Sequence, residues 1–185
     1  FSISSSSEKP QEISFTIKDL GKFTNTVKYM QIGQAVYVDG PHGAFSIDRY
    51  PYAEHLVYIA GGIGITPIMS MLRSMADRGD QRPARLFYNN RDWDSITFRE
   101  EIETIKQLLD LEVIYTLEKP PQKWAGETGF MTQEILHNHL GNAWAQKGTE
   151  VFMCGPQVMM NIVKKQLWAE GFLEAQIHYE LFNLI

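Results

Sequence analysis

The sequence IAGGIGITPIMSML, residues 59–72, carries the strongest structural signal in the chain, because three glycines and a proline stand between an apolar run and an amphipathic one. The apolar run HLVYIAG, residues 55–61, is typical of a strand buried on both faces of a parallel sheet. Residues 67–79 place their apolar side chains on one helical face and end at a glycine. The sequence therefore predicts a strand, a tight glycine turn and a helix in succession.

Strands and helices continue to alternate along the rest of the chain. Further strands are predicted at residues 84–90, 111–117, 150–155 and 177–182, with helices between them. This alternation predicts an α/β domain over residues 51–185, built on a doubly wound, five-stranded parallel sheet.

The first fifty residues have a different pattern. EISFTI, residues 12–17, alternates apolar and polar side chains as a half-buried strand does, and AVYVDG, residues 35–40, is a second strand that ends at a Gly-Pro pair. We expect residues 1–50 to form a small β-rich unit, with a domain boundary near Pro51.

Composition and charge narrow the classes of protein. The 185 residues carry a net charge of −5, which argues against a general nucleic-acid binder because neutralising phosphates needs a basic surface. No apolar run reaches the length of about 18 residues that spans a membrane. The single cysteine excludes an internal disulfide, a four-cysteine zinc site and an iron–sulfur cluster held by this chain alone. The histidines are isolated or badly spaced, so no metal site is expected.

The glycine turn has the features of an anion site. Gly62 and Gly64 lack the Cβ atoms that would hold a phosphate away from the backbone. We expect Thr66 to cap the following helix and Pro67 to be its first residue, so that free N–H groups and the positive end of the helix dipole lie beside the turn. Pro67 stands where the common G-x-G-x-x-G fingerprint has its third glycine. The alternative is a tight turn that serves packing alone.

The end of the second predicted strand bears on the choice of nucleotide. Arg91 stands where an acidic residue would contact the ribose of NAD, and an arginine there suits the 2′-phosphate of NADP. Asp92 and Asp94 follow closely, so NAD stays open. The structural alternative for Arg91 is a solvated loop charge.

Two further motifs end strands at the same, carboxyl edge of the predicted sheet. Cys154 and Gly155 precede Pro156 in MCGP, and we expect the cysteine to face the same crevice as the glycine turn. Glu180 and Phe182 alternate with their neighbours in HYELF, so both face one way. The alternatives are an inert core cysteine and a phenylalanine that packs at the chain terminus.

Together these motifs resemble those of the ferredoxin–NADP reductase superfamily, in the same order, over residues 35–185. GGIGITP, CGP and YELF resemble its glycine-rich, nicotinamide-side and C-terminal motifs. The resemblance implies an NAD(P)H-dependent flavin oxidoreductase that passes a hydride from NAD(P)H to FAD and electrons onward. It implies catalytic roles for Cys154 and Glu180, and cofactor binding by Gly61, Gly62, Gly64, Thr66, Pro67, Arg91, Gly155, Pro156 and Phe182.

The same resemblance implies that residues 1–50 are part of an antiparallel, FAD-binding β-barrel and that residues 51–185 are an NAD(P)-binding domain. FSIS, residues 1–4, resembles the second half of a flavin motif, which implies that Phe1 stacks on the flavin and that the catalytic Ser2 hydroxyl meets flavin N5. GKFT resembles a second pyrophosphate-binding turn, formed with Gly21 and Thr24. The arginine of the motif would precede Phe1, and the chain does not begin with methionine, so we expect a fragment that binds FAD poorly and is inactive alone.

The resemblance also bears on the acceptor and the location. The flavin motif and the YELF ending resemble the ferric reductase and NADPH oxidase-like branch, in which a haem-bearing membrane domain precedes the flavin domain. We therefore expect an acceptor domain or protein, and a chain in the cytoplasm or at the cytoplasmic face of a membrane. Iron, oxygen and a quinone remain open as acceptors. The alternative functions are a regulatory module that binds NAD(P) without catalysis and a plain α/β scaffold.

Overall fold

The centre of the computed structural model, which describes residues 1–182, is a six-stranded sheet in which all neighbouring strands are parallel. The spatial order of the strands is β4-β3-β2-β1-β5-β6. In chain order they are β1 (His55–Gly61), β2 (Ala84–Asn90), β3 (Leu111–Leu117), β4 (Glu127–Thr128), β5 (Thr149–Gly155) and β6 (Ile177–Leu181). The five predicted strands are present, and β4 is an addition that two residues are too short to signal. Residues 183–185 of the predicted domain lie outside the described residues.

Helices cover both faces of the sheet. These are α2 (Ile65–Arg78), α3 (Arg99–Ile105), α4 (Gln133–Trp144, interrupted at Gly141) and α5 (Gln157–Ala169), whereas the short α1 (Thr24–Val27) in the N-terminal segment has no buried residue. On one face α2 and α3 share a buried cluster with the sheet, through residues such as Leu72 and Ile102. On the other face α4 and α5 contribute Leu136 and Val163 to a second cluster. The predicted doubly wound α/β fold is therefore confirmed.

The apolar run of β1 serves both clusters. Its residues after His55 are all buried, with Tyr58 in the cluster under α2 and Ile59 in the cluster under α4 and α5. Burying a large apolar side chain stabilises the fold by about 1.5–3 kcal/mol. A strand that is enclosed on both faces therefore needs apolar residues at successive positions, and the sequence of β1 provides them.

Residues 1–50 do not form the predicted barrel strands. Residues 12–17 and 35–40 are not strands, and the antiparallel pairing described in this segment is a single bridge between Ile3 and Phe15. An isolated pair of strands is marginal in water, because strands gain stability from neighbours on their edges and from a covered apolar face. The alternating residues of the second predicted strand, including Val36, are instead exposed.

A serine-rich stretch joins this N-terminal segment to the α/β domain. Residues 4–9, which we call the serine segment, lie along one stripe of α2. The Ser70 hydroxyl donates to the Ser5 carbonyl over 2.6 Å, and the Ser7 backbone N–H donates to the Ser74 hydroxyl over 2.9 Å. Residues four apart share a helix face, so this stripe presents a row of polar partners to the segment.

Arg73 links the serine segment to two helices. Its Nε and Nη2 atoms donate to the two carboxylate oxygens of Glu101 on α3, over 2.6 and 2.7 Å, and its Nη1 donates to the Ser4 carbonyl. The guanidinium also lies over the Phe98 ring, 4.9 Å from its centroid. A planar guanidinium suits this combination of bidentate pairing and stacking.

We predict that Arg73→Gln lowers the free energy of unfolding by about 1–2 kcal/mol, because it removes the bidentate pair and leaves the Ser4 carbonyl with a weaker partner. It should also speed proteolysis within residues 1–10. Urea unfolding and limited proteolysis measure the two effects.

The matched control for this change is Lys106→Gln, which removes a single exposed contact with Glu103 at 2.9 Å. Pairs of this kind contribute at most about 0.5 kcal/mol. Equal effects of the two variants would contradict a special role for Arg73.

Candidate functional site

The sheet changes its direction of growth beside β1. The chain adds β2, β3 and β4 on one side of that strand, and then β5 and β6 on the other. The carboxyl ends of β1 and β5 are Gly61 and Gly155, which lie side by side at this point. Doubly wound sheets bind their ligands in the crevice outside such ends. The glycine turn and the CGP motif therefore meet where a ligand site is expected.

Three glycines let backbone segments touch at this crevice. A Cβ atom on Gly64 would lie 2.1 Å from the Cys154 carbonyl oxygen. One on Gly155 would lie 3.0 Å from the Gly61 nitrogen, and one on Gly61 would lie 2.7 Å from the Met159 sulfur. Close packing of the turn, β1 and β5 therefore accounts for these glycines without a ligand.

Gly62 has a different environment. Its φ angle is +51°, in the left-handed region that favours glycine, and a Cβ atom there would meet nothing within 4 Å. The missing side chain therefore leaves open space beside the turn, which fits the approach of a phosphate.

The helix after the turn begins earlier than expected. Residues 62–64 form a 3₁₀ turn that continues into α2, so Gly64 and not Thr66 is the N-cap. The Thr66 hydroxyl donates to the Ile63 carbonyl over 3.1 Å, and Pro67 is the third helical residue. The expected positions of Thr66 and Pro67 are therefore wrong by two residues, because the glycine turn is itself helical.

The shifted start keeps the properties of an anion site. The first N–H groups of a helical segment have no partner within it, and the helix dipole gives them a partial positive charge. Pro67 lacks an N–H but stands in the first turn, where none is needed for the helix. Residues 62–64 thus present backbone donors that fit a pyrophosphate.

A cavity of about 740 Å³ lies between the N-terminal segment and the α/β domain. Phe1 and Ser2 line it on one side, and Pro67 and Glu180 line it on the other. The Ser2 hydroxyl donates to Glu180 Oε2 over 3.2 Å. Two predicted catalytic residues from opposite ends of the chain are therefore in direct contact, beside a space of the size that ligand sites have.

Cys154 is paired in register with Glu180 across β5 and β6, so the two side chains lie on the same face of the sheet, and the Cys154 side chain is fully buried. Burial raises the pKa of the Cys154 thiol, and the charge of Glu180 raises it further. The thiol is therefore protonated at neutral pH and is not a nucleophile. Its contact with a nicotinamide stays a prediction.

The structure brings the two predicted flavin motifs together. The Phe1 ring stacks on Phe23 of GKFT, with centroids 6.1 Å apart. Within that turn the Thr24 hydroxyl accepts hydrogen bonds from the N–H groups of Leu20 and Gly21, each over 2.9 Å. The N–H of Gly21 is thus engaged inside the turn, so a pyrophosphate role for Gly21 and Thr24 stays a prediction.

The remaining predicted residues lie at strand or helix ends. Arg91 follows β2 directly; its side chain is 68% exposed, and its Nε is 4.0 Å from Asp92 Oδ2. So loose and exposed a pair contributes little, which leaves the guanidinium accessible to a ligand. Pro156 is the N-cap of α5, and Phe182 follows β6 and is half-buried. The cofactor roles of these three residues stay predictions.

One buried residue without a predicted role lies at the end of β2. Asn90 is 4% exposed, and its Nδ2 has no hydrogen-bond partner within residues 1–182. The amide of Asn89, in contrast, donates to the carbonyls of Thr116 and Gly129, each over 3.3 Å. Buried donors are nearly always paired, so the Asn90 amide fits a place that a polar ligand completes. The sequence signal for this difference is strand alternation, which predicts that the side chains of Asn89 and Asn90 lie on opposite faces of the sheet.

Two kinds of feature are not found in the part of the chain that the structure describes. None of its helices has both the length and the apolar character to cross a bilayer. Its acidic, histidine and cysteine side chains form no group of three that could hold a metal ion.

Comparison with known families supports the sequence resemblance. Residues 58–165, more than half of the chain, match the family model described as the oxidoreductase NAD-binding domain. The matched region contains both the glycine turn and the CGP motif.

Two curated relatives illustrate the similarity. NADH-cytochrome b5 reductase 1 of Cryptococcus neoformans is 34% identical in an alignment of 160 positions that covers 82% of this chain and 54% of that protein. The glycine betaine monooxygenase reductase subunit of Chromohalobacter salexigens is 31% identical in an alignment of 190 positions that covers 99% of this chain and 50% of that protein. The chain thus spans about half the length of these relatives.

Solved structures give the same result for the fold. The cytochrome b5 reductase domain of Ulva prolifera nitrate reductase superimposes with a TM-score of 0.78 and 25% identity, over 86% of this chain and 64% of that one. The CS-b5R domains of human Ncb5or, in an NAD⁺ form, give 0.77 and 28%, over 90% of this chain and 48% of that one.

We predict that Gly64→Ala lowers the free energy of unfolding by about 3 kcal/mol, because the added methyl group meets backbone atoms that have no rotamer to relax. Urea unfolding measures the change. Gly21→Ala is the matched control, since a Cβ atom there meets nothing within 4 Å, and it should stay within about 0.5 kcal/mol of the parent protein. A mild Gly64→Ala variant would show that the contact between the turn and β5 is loose.

Proposed function

The chain belongs to the oxidoreductase NAD-binding domain family, within the ferredoxin–NADP reductase superfamily, and from this we propose that it is the nicotinamide-binding part of a flavin reductase. In this proposal a hydride passes from NADH or NADPH to FAD, and electrons pass on to an acceptor.

The hydrogen bond between Ser2 and Glu180 carries the proposal. It joins the flavin-side segment to the carboxyl edge of the sheet at the wall of the cavity, where a nicotinamide and a flavin would have to meet. A regulatory module that only binds NAD(P) has no need of a serine and a carboxylate at this place. A scaffold has no need of the open turn at Gly62.

The bound FAD supplies the redox chemistry, and the protein supplies binding, alignment and exclusion of water. The N–H groups of residues 62–64 bind the pyrophosphate of the nicotinamide nucleotide. Glu180 holds the Ser2 hydroxyl in place and orients the nicotinamide beside it. Pro67 gives the cavity an apolar wall, and the Phe1 ring, which is 73% exposed, offers a stacking surface.

We further propose that the electrons leave for a protein-bound acceptor. The names of the relatives include a cytochrome b5 reductase and the reductase subunit of a monooxygenase, which supports an acceptor protein or domain. A haem-bearing membrane domain of the ferric reductase type is one such acceptor, and iron itself is another. We propose the cytoplasm, or the cytoplasmic face of a membrane, as the location.

Dye reduction tests the proposal. The chain is expected to bind FAD poorly and to be inactive alone, so FAD is added in large excess to saturate it, with ferricyanide as acceptor. Under these conditions the chain should oxidise NADH or NADPH, and Glu180→Gln should lower kcat by roughly ten- to a hundredfold because the charge beside the ring is lost. Glu174→Gln is the control, since Glu174 belongs to a surface turn and pairs with Lys164.

Two other results are informative. Binding of NAD(P)H without FAD-dependent dye reduction would favour the regulatory module. No binding of either nucleotide at millimolar concentration would favour the scaffold.

We predict that Arg91→Ala lowers the preference for NADPH over NADH by about tenfold, because a charge-assisted bond to the 2′-phosphate is lost. The ratio of kcat/KM for the two nucleotides measures this preference. Arg49→Ala, which removes an exposed arginine in the turn at residues 47–49, should leave the ratio unchanged. An unchanged ratio in Arg91→Ala would rule out the 2′-phosphate role.

A further inference from the structure

Tyr88 reaches the glycine turn from the neighbouring strand. It lies on β2, its side chain is fully buried, and its hydroxyl donates to the Gly62 carbonyl over 3.3 Å. The same carbonyl accepts from the Ile65 N–H inside the 3₁₀ turn. The Gly62 carbonyl is therefore held from two directions, although its residue is the one glycine of the turn with a left-handed backbone.

The orientation of this carbonyl fixes the next N–H group. A trans peptide unit is planar, and its C=O and N–H bonds point in opposite directions. Because the Gly62 carbonyl points at Tyr88, the N–H of Ile63 points away from Tyr88. Ile63 is the central residue of the 3₁₀ turn, where backbone donors face an incoming anion.

We propose that Tyr88 is a positioning residue for nucleotide binding: its hydroxyl holds the peptide unit between Gly62 and Ile63 so that the Ile63 N–H is aimed at the pyrophosphate. This inference rests on the proposed function, because it assumes that the turn binds a nicotinamide nucleotide. It assigns the role to the phenol oxygen and not to the ring, which packs in the cluster under α2.

The chemistry of the hydroxyl suits this role. Burial raises the pKa of Tyr88 to about 12, so the group is a donor throughout the physiological range. Thr97 and Asn90 lie close enough to the phenol to affect its pKa.

The chain offers a matched control in Tyr58. It lies on the neighbouring strand β1, is equally buried, and donates its hydroxyl to the Met75 sulfur over 3.2 Å, which is a contact within the core. Removing either hydroxyl therefore deletes one buried hydrogen bond, but only the Tyr88 bond ends on the turn.

The test compares two ligands in three proteins. ADP-ribose carries the pyrophosphate and adenosine does not, and calorimetry and NMR titration give their dissociation constants for the parent chain, Tyr88→Phe and Tyr58→Phe. We expect Tyr88→Phe to weaken ADP-ribose binding about fivefold, the loss of one hydrogen bond, and to leave adenosine binding within twofold. Tyr58→Phe should change neither constant, while both variants lower the melting temperature similarly.

Each other outcome is decisive. ADP-ribose binding within twofold of the parent value in Tyr88→Phe overturns the assignment, and so does an equal loss for both ligands, which indicates a general effect on the fold. A loss as large in Tyr58→Phe has the same meaning. If the parent chain binds adenosine and ADP-ribose equally well, or binds neither, the proposed function fails first and the assignment fails with it.

Discussion

The contact between Gly64 and the backbone of Cys154 ties the start of α2 to the carboxyl end of β5. A separation that leaves no room for a Cβ atom fixes the helix start against the sheet, with no side chain between them. The turn at residues 62–64 consequently lies at the point where the sheet changes direction, which is where doubly wound sheets bind their ligands. The contact involves the backbone of Cys154, and the thiol of this residue is buried, which raises its pKa. One steric requirement therefore places the glycine turn beside the end of β5.

Helix α2 is used on two of its surfaces. Its first turn borders the crevice, and its outer stripe, with Ser70, Arg73 and Ser74, holds the serine segment. Because one helix contacts both, residues 1–3, which precede the serine segment, are placed relative to the glycine turn. The Ser2–Glu180 hydrogen bond adds a second contact, between the start of the N-terminal segment and β6. The contact between the serine segment and α2 is polar and partly solvated, in contrast to the apolar clusters within the α/β domain. It therefore contributes more to the placement of the serine segment than to the free energy of unfolding.

The sequence predicted what periodicity and turn chemistry determine locally. The five main strands, the helix that ends before Gly79 and the crevice at the glycine turn all follow from apolar runs bounded by glycine and proline. Strand pairing is not local, so the alternation in residues 12–17 predicts a strand, whereas the structure gives this stretch a single bridge at Phe15. Where a helix begins also depends on the φ angles of a few residues. Thr66 is of a residue type that often caps helices, but the glycines before it form a helical turn, so the helical segment begins earlier. The contact of the Tyr88 hydroxyl with the Gly62 carbonyl joins two neighbouring strands, and no spacing along the chain reveals it.

The proline at position 67 can now be understood in physical terms. In the common dinucleotide fingerprint the third glycine allows the helix to pack closely on the strand. Here Gly64 already provides that approach, three residues earlier, because the turn is helical before α2 begins. Residue 67 therefore does not have to be glycine for the helix to pack on the strand, and a proline in the first helical turn costs no hydrogen bond. Its ring instead forms part of the cavity wall opposite Ser2. The departure from the fingerprint thus has its origin in the early helical turn at Gly62–Gly64.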